Sequence, residues 1–109
     1  MMIRIEGTKD TGLLADLNRD VQDLHANTYP DLFRPYDKAE VAKFFDSTVQ
    51  KGNWSHYVAY DDEDPVGFIQ IEKRQFMNHP FRKDCGLVYI HQICVRKAYE
   101  GKGVGKMLI

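Results

Sequence analysis

Residues 90–109, IHQICVRKAYEGKGVGKMLI, decide the fold of this chain. An apolar strand runs into a loop with three alternating glycines, and an apolar helix begins directly behind it. The glycines are Gly101, Gly103 and Gly105. Glycines let the backbone approach a ligand without a Cβ in the way. The free N–H groups of such a loop and of the first helical turn favour a phosphate group, and Lys102 and Lys106 add positive charge.

Two common phosphate-binding motifs do not fit this loop. A P-loop, G-x-x-x-x-G-K-[ST], would need glycine at Glu100 and Ser or Thr at Met107. A dinucleotide-binding G-x-G-x-x-G motif would place its third glycine on Lys106. That motif also belongs near the start of a βαβ unit, whereas this loop follows an expected hairpin. A different class of pyrophosphate loop is therefore needed.

Two amphipathic helices are expected in the first half of the chain. Apolar residues repeat at helical spacing over residues 13–24 and again over residues 41–49. Asp10 or Thr11 would cap the first helix. Asp37 would begin a capping box at the second helix, because a glutamate follows it three residues later.

Strands are expected at residues 3–6, 56–60, 66–73 and 86–95. In the last strand Leu87, Tyr89, Ile93 and Val95 would take one face, and Val88, Ile90 and Cys94 the other. A strand that is apolar on both faces is expected in the middle of a covered sheet. Gly67 predicts a bulge in the third strand. The fold class is therefore α+β, an α/β arrangement with a mixed sheet and the order β-α-α-β-β-β, followed by the start of a helix.

Composition excludes several functional classes. The chain has 109 residues, 43% of them hydrophobic, which is sufficient for one globular domain. With 15 basic and 16 acidic residues, no dedicated nucleic-acid binder is indicated, and no apolar run approaches the ~18–20 residues of a membrane helix. Cys85 and Cys94 are nine positions apart, hence on opposite strand faces and unable to form a disulfide. A cytoplasmic, reduced location is expected, without a metal site, because ligand spacing is absent.

The quoted run resembles the acetyl-CoA-binding signature of the GNAT superfamily of N-acetyltransferases. Gly103 and Gly105 match the two small residues of its Gln/Arg-x-x-Gly-x-Gly/Ala loop. Residues 93–95 match the apolar end of its strand, and Tyr99 matches the aromatic residue that often precedes the loop. The expected element order also matches. The resemblance implies the GNAT fold of acyl-CoA-dependent N-acyltransferases.

That family normally continues beyond the position of residue 109 with further strands and helices. The resemblance therefore implies a single N-acetyltransferase domain over residues 1–109, truncated on its C-terminal side. The exposed sheet edge would then allow homo-oligomers to form. Glu100 holds the position usually filled by Gln or Arg, and an acidic side chain there is expected to weaken pyrophosphate binding.

The resemblance also implies a co-substrate and the residues that hold it. Acetyl-CoA would lay its pantetheine arm along Ile93, Cys94 and Val95. Its pyrophosphate would sit on the loop formed by Glu100, Gly101, Lys102, Gly103, Val104, Gly105 and Lys106. A primary amine of a small molecule or peptide would attack the acetyl thioester directly. This implies an N-acetyltransferase without a metal.

Candidate catalytic residues follow from the same resemblance. His91 matches the position of the proton-accepting residue in related acetyltransferases, and a neutral imidazole can accept that proton. A half-buried structural histidine is the alternative interpretation. Tyr89, on the same strand face, is a second candidate. The loop between the helices would line the acceptor site, where Tyr29 and Phe33 either touch the substrate or pack in the core.

Two other functional interpretations stay open at this point. A degenerate relative could hold CoA without turnover or act through a partner. An unrelated α+β regulatory domain could carry a glycine-rich loop by chance.

Overall fold

The computed structural model describes all of residues 1–109 and has the expected element order. The strands are β1 (Ile3–Gly7), β2 (Trp54–Asp61), β3 (Asp64–Phe76) and β4 (Cys85–Val95). The helices are α1 (Thr11–Thr28), α2 (Lys38–Val49) and α3 (Val104–Leu108), with a 3₁₀ turn at Lys97–Tyr99. None of the helices combines the length and apolarity that crossing a membrane requires.

Both predicted helix caps are confirmed. The Asp10 carboxylate accepts the Leu13 N–H at 3.1 Å, so Asp10 rather than Thr11 caps α1. The Asp37 carboxylate accepts the Glu40 N–H at 3.3 Å at the start of α2. Each cap satisfies a backbone donor that the first helical turn cannot pair.

The four strands form one sheet in the order β1-β2-β3-β4, and every pair is antiparallel. Within this chain the sheet is therefore antiparallel rather than mixed. Helices α1 and α2 cover one face, where the buried core consists of Leu14, Leu17, Phe45, Val58, Phe68 and Cys94. Helix α3 covers the other face, where its Val104 and Leu108 pack against Ala59, Val66 and Ile69. Near the C-terminal end of β4 the sheet therefore has helices on both of its faces.

Within residues 1–109 β4 is an edge strand, not the middle strand of a covered sheet that its sequence predicts. Only Cys94, near its C-terminal end, is buried, whereas Leu87, Val88 and Ile90 are exposed. The physical reason is that β3 and β4 extend past the helices, so the outer half of the hairpin has no covering layer. Apolar character on both faces of a strand does not fix its place in a sheet.

A β-bulge at His91 changes the faces assigned to β4. Gln92 pairs with Gln70, but Ile90 pairs with Ile71, so His91 is an extra residue. The alternation restarts there, and Ile90 shares the α3 face with Ile71 rather than the opposite face. The predicted faces of residues 85–90 are therefore exchanged.

The same bulge overturns the argument about the two cysteines but not its conclusion. Cys85 and Cys94 fall on one face once the extra residue is counted. They nevertheless lie at opposite ends of β4, roughly 25–30 Å apart at about 3.3 Å per residue. Both are free thiols, and only Cys94 is buried.

The predicted bulge near Gly67 lies one residue away, at Val66, where the β2–β3 register shifts. Gly67 has a different reason to be glycine. A Cβ on Gly67 would lie 2.8 Å from the Cys94 carbonyl oxygen, closer than real Cβ contacts occur. This residue therefore lets β4 approach β3 closely just before the glycine-rich loop.

Candidate active site

The segment that follows β4 is hydrogen-bonded to the strand ends on either side of the β2–β3 turn. The Arg96 N–H donates to the Val66 carbonyl at 2.8 Å, and its Nε donates to the Pro65 carbonyl at 2.7 Å. The Tyr99 hydroxyl donates to Asp61 Oδ2 at 2.8 Å, which raises the pKa of Tyr99. The contact between Tyr99 and Asp61 therefore anchors the start of the glycine-rich loop to the end of β2.

The three positions of the loop require glycine for different reasons. Gly101 and Gly103 have φ values of +76° and +82°, a region that disfavours most side chains. No atom lies within 4 Å of a Cβ built on either residue, so the space beside them is open. Gly105 has ordinary backbone angles, and its Cβ would contact Ile93 at 3.9 Å and Val95 at 4.0 Å. The first two glycines shape the loop, and the third lies against β4.

Five backbone donors in this loop have no acceptor inside the chain, whereas the Lys102 N–H donates to the Tyr99 carbonyl at 3.4 Å. The five are the N–H groups of Gly101, Gly103, Val104, Gly105 and Lys106. The Met107 N–H is the first to donate back, to the Gly103 carbonyl at 3.2 Å. Lys102 and Lys106 are exposed beside these donors. Unpaired N–H groups together with cationic side chains suit an anion.

The end of β4 presents backbone groups to an open edge. Arg96 is hydrogen-bonded to Val66, and paired and unpaired positions alternate along an antiparallel ladder. The backbone groups of Val95 and Ile93 therefore point away from β3, toward the free edge. Those of Cys94 point toward Phe68. Of the three residues expected along the pantetheine arm, two have free backbone groups.

A cleft of about 900 Å³ lies between α1, the loop that joins α1 to α2, the start of α2, and residues 91–94 of β4. It brings together several candidates predicted separately, because His91, Ile93, Cys94 and Phe33 all line it. The bulge contributes directly, since it turns both His91 and Gln92 toward the helices. The cleft therefore adjoins the strand edge and contains a titratable ring.

His91 is held by Glu72 on β3 and by Trp54 on β2. Its Nε2 lies 2.8 Å from Glu72 Oε1, and its ring stacks on Trp54 with centroids 4.2 Å apart and planes 10° apart. Arg74 donates twice to the same carboxylate, at 3.0 and 3.1 Å. Hydrogen bonds from Arg74, then from His91, lower the pKa of Glu72, so the carboxylate is ionised at neutral pH. His91 Nδ1 has no partner within the chain.

The other candidates on β4 lie in less open surroundings. Tyr89 does not line the cleft, and the Arg74 guanidinium lies over its ring at 4.1 Å from the centroid. Burial raises the pKa of the Cys94 thiol to about 12, so it carries no thiolate at neutral pH. Cys94 therefore contributes packing rather than a nucleophile. No cluster of three or more His, Cys, Asp or Glu residues is arranged to hold a metal ion.

The aromatic residues expected at the acceptor site lie outside the core. Phe33 lines the cleft and is 37% exposed, whereas Tyr29 is 56% exposed beside it, with ring centroids 6.4 Å apart. The core-packing interpretation of both is therefore wrong. Their loop is fixed to α1 because the Tyr36 hydroxyl donates to the Ala15 carbonyl at 2.6 Å. Phe33 is thus available at the cleft wall.

Sequence reasoning missed a row of polar side chains that runs from the wall of the cleft into the core. Asn18 Nδ2 donates to Gln92 Oε1 at 3.0 Å, Gln92 Nε2 to Gln70 Oε1 at 3.2 Å, and Gln70 Nε2 lies 3.1 Å from His56 Nε2. The Thr48 hydroxyl closes the row, 3.1 Å from the same nitrogen. Burial lowers the pKa of His56, which favours its neutral form. The only sequence signal was polar residues at core positions of apolar strands.

Comparison with known proteins identifies the family. A sequence model of the Acetyltransferase (GNAT) family matches residues 18–109. None of the curated proteins compared with the chain matches it.

Solved structures agree with the family match. A tetramutant of the BH1408 protein of Bacillus halodurans is 25% identical, with a TM-score of 0.80 over 99% of this chain and 70% of that chain. An acetyltransferase from Vibrio fischeri is 21% identical, with a TM-score of 0.70 over 99% and 80% of the two chains. AAC(6')-Iy was solved with the bisubstrate analogue CoA-S-monomethyl-acetylneamine. It is 17% identical, with a TM-score of 0.61 over 99% and 67%.

These likenesses confirm the fold expected from residues 90–109 and exclude an unrelated regulatory domain. The family match extends from α1 to the last residue and includes the cleft, the bulged strand and the glycine-rich loop. The chain therefore belongs to the GNAT family of acetyltransferases.

Proposed function

We propose that the protein transfers an acetyl group from acetyl-CoA to a primary amine of a small molecule or peptide. The observation that carries this proposal is the glycine-rich loop, which has unpaired N–H groups at Gly101 and at residues 103–106 and open space beside Gly101 and Gly103. The neighbour solved with a CoA bisubstrate analogue gives independent support, because it shares the fold over 99% of this chain.

The residues present fit a CoA thioester. The loop N–H groups would hold the pyrophosphate, with Lys102 and Lys106 adding charge. The free backbone groups of Ile93 and Val95 would bind the amide groups of the pantetheine arm. Glu100 is exposed and forms no ion pair, so no contact holds its carboxylate over the loop. Weaker binding, rather than loss of binding, is the expected consequence of that residue.

His91 is the proposed general base. When bound, acetyl-CoA supplies the activated carbonyl carbon that an amine attacks. Glu72 accepts the hydrogen bond from His91 Nε2, so the proton of the neutral ring resides on Nε2 and the lone pair on Nδ1. Nδ1 would take the proton that the amine loses as its bond to the acetyl carbon forms, directly or through one water. The carbon–sulfur bond of the thioester would break, and CoA would leave as a thiolate that takes up a proton to become the free thiol. Phe33 on the cleft wall would contact the body of the amine.

The test combines binding and turnover. Calorimetry should show acetyl-CoA binding, and a thiol-release assay over a panel of primary amines should show turnover. His91→Ala should lower kcat/KM by about 10²–10⁴-fold with little change in acetyl-CoA affinity, and the acidic limb of its pH–rate profile should disappear. His79→Ala, in the exposed loop between β3 and β4, is the matched control and should behave as wild type.

The outcomes separate the alternatives. Binding without thiol release would favour a CoA-holding relative without turnover, for which Glu100 is the specific observation. Turnover that His91→Ala leaves unchanged would assign His91 to packing. No binding at all would contradict the proposed role of the loop.

A further inference from the structure

We propose that Glu72 is a positioning residue, whose carboxylate holds the His91 ring so that Nδ1 faces the cleft. The inference rests on the proposed role of His91 as general base and goes beyond it, because it assigns a function to a side chain on the neighbouring strand. Glu72 does not line the cleft, so it would act through His91 and not on the substrate.

The sheet register places Glu72 where it can serve this role. Glu72 lies directly opposite Trp54 on one side and Tyr89 on the other, on the sheet face that α1 and α2 cover. The bulge at His91 brings the imidazole over the same position. The ring is then restrained twice, by the stack on Trp54 and by the hydrogen bond to Glu72. Without the bulge, His91 would point to the opposite face of the sheet.

The carboxylate is itself fixed, unlike that of an ordinary surface ion pair. Arg74 occupies both oxygens, with Nε at 3.0 Å from Oε2 and Nη2 at 3.1 Å from Oε1. The Glu72 side chain is only 12% exposed, against 31% for His91 and 44% for Arg74. A bidentate contact of this kind sets the direction of the remaining lone pairs. The lone pair that points to His91 therefore has a defined orientation before any substrate binds.

The experiment measures the contact and its catalytic effect separately. In long-range ¹H–¹⁵N spectra of the protein without substrate, the His91 Nε2–H should give a downfield, slowly exchanging signal. Glu72→Ala should abolish that signal. Glu72→Gln, which keeps an oxygen acceptor, should restore it in part. Glu63→Ala, at the exposed β2–β3 turn, is the control and should leave it unchanged.

The kinetic arm uses a double-mutant cycle. Glu72→Ala should lower kcat about 10–100-fold, the range typical of residues that orient a functional ligand, while KM for the amine changes less than about threefold. Adding Glu72→Ala to His91→Ala should cause no further loss, because the two residues would act as one unit. Circular dichroism and thermal melts check that each variant folds. If Glu72→Ala does not fold, Glu72→Gln replaces it in the cycle.

The results that overturn the inference are specific. A His91 Nε2–H signal that is identical in wild type and Glu72→Ala would overturn it, whether or not the protein turns over. Multiplicative losses in the double variant would overturn it too, because they would show that Glu72 acts on stability or on some other step. Failure of the proposed function itself would look different, since wild type would then release no thiol while the spectroscopic contact persisted.

Discussion

Replacing Gly103 by Asp or Asn tests the anion-binding loop with two nearly isosteric side chains. At φ of +82°, any side chain is strained, but Asn and Asp tolerate this region best and do so similarly. No atom lies within 4 Å of the added Cβ, so neither variant is expected to clash. The two variants therefore share the backbone cost and differ by one negative charge beside the proposed pyrophosphate.

The charge sets the size of the effect. One negative charge about 5 Å from one phosphate charge costs about 1 kcal/mol at the dielectric of water and about 3 kcal/mol at an effective value near 20. This corresponds to roughly 5- to 150-fold weaker binding of acetyl-CoA by Gly103→Asp than by Gly103→Asn. Gly86→Asp adds the same charge to an open position at the other end of β4 and should bind as wild type does.

Thermal or urea unfolding with and without acetyl-CoA gives the measurement. At a ligand concentration about 100 times the wild-type Kd, the ligand should add about 2.7 kcal/mol to the free energy of unfolding. A variant with about 30-fold weaker binding should gain only about 0.9 kcal/mol at that concentration. Equal ligand-induced stabilisation of the Asp and Asn variants would refute the assignment of phosphate to this loop.

Three further predictions concern the framework of the site. Gly67→Ala should lower the free energy of unfolding by about 1–3 kcal/mol in urea titrations, because its Cβ would meet the Cys94 carbonyl at 2.8 Å; unchanged stability would contradict the close approach. Tyr99→Phe should weaken acetyl-CoA binding several-fold in calorimetry without unfolding the protein, because the loop loses its hydrogen bond to Asp61; wild-type affinity would mean that the anchor is dispensable. Burial lowers the pKa of His56, so the unfolded chain takes up a proton near pH 6.5 that the folded chain does not. The associated stability is present above that pH and is lost as pH falls toward the lower native pKa, at up to about 1.4 kcal/mol per pH unit. His56→Gln should flatten this part of the urea-derived stability profile, and an unflattened profile would assign the slope to other groups.

Local features of the fold could be predicted because their causes lie within a few residues. Asp10 and Asp37 cap helices through donors three positions away. The glycine-rich loop is similarly local, since Gly101 and Gly103 adopt backbone angles that most residues avoid. These short-range signals, combined with the element order, were sufficient to indicate the family.

The bulge at His91 could not be predicted, because no glycine or other local signal marks it among the surrounding apolar residues. Its cause lies in pairing with β3, and one extra residue reverses every face assignment on one side of it. The contact between His91 and Glu72 joins positions 19 apart in sequence, and the stack on Trp54 joins still more distant ones. Such partners follow from strand register, which the hydrophobic pattern of one strand does not determine.

The row of amides that runs from the cleft wall into the core has a direction. Asn18, Gln92 and Gln70 each donate to the next member, and the last donor meets an imidazole nitrogen that must accept. Turning Gln92 or Gln70 alone would set two N–H groups against each other, and turning Asn18 alone would set two oxygens against each other, so the three can reverse only together. The accepting nitrogen of the His56 ring thereby sets, through the one intervening side chain of Gln70, which end of the Gln92 amide an incoming molecule meets in the cleft.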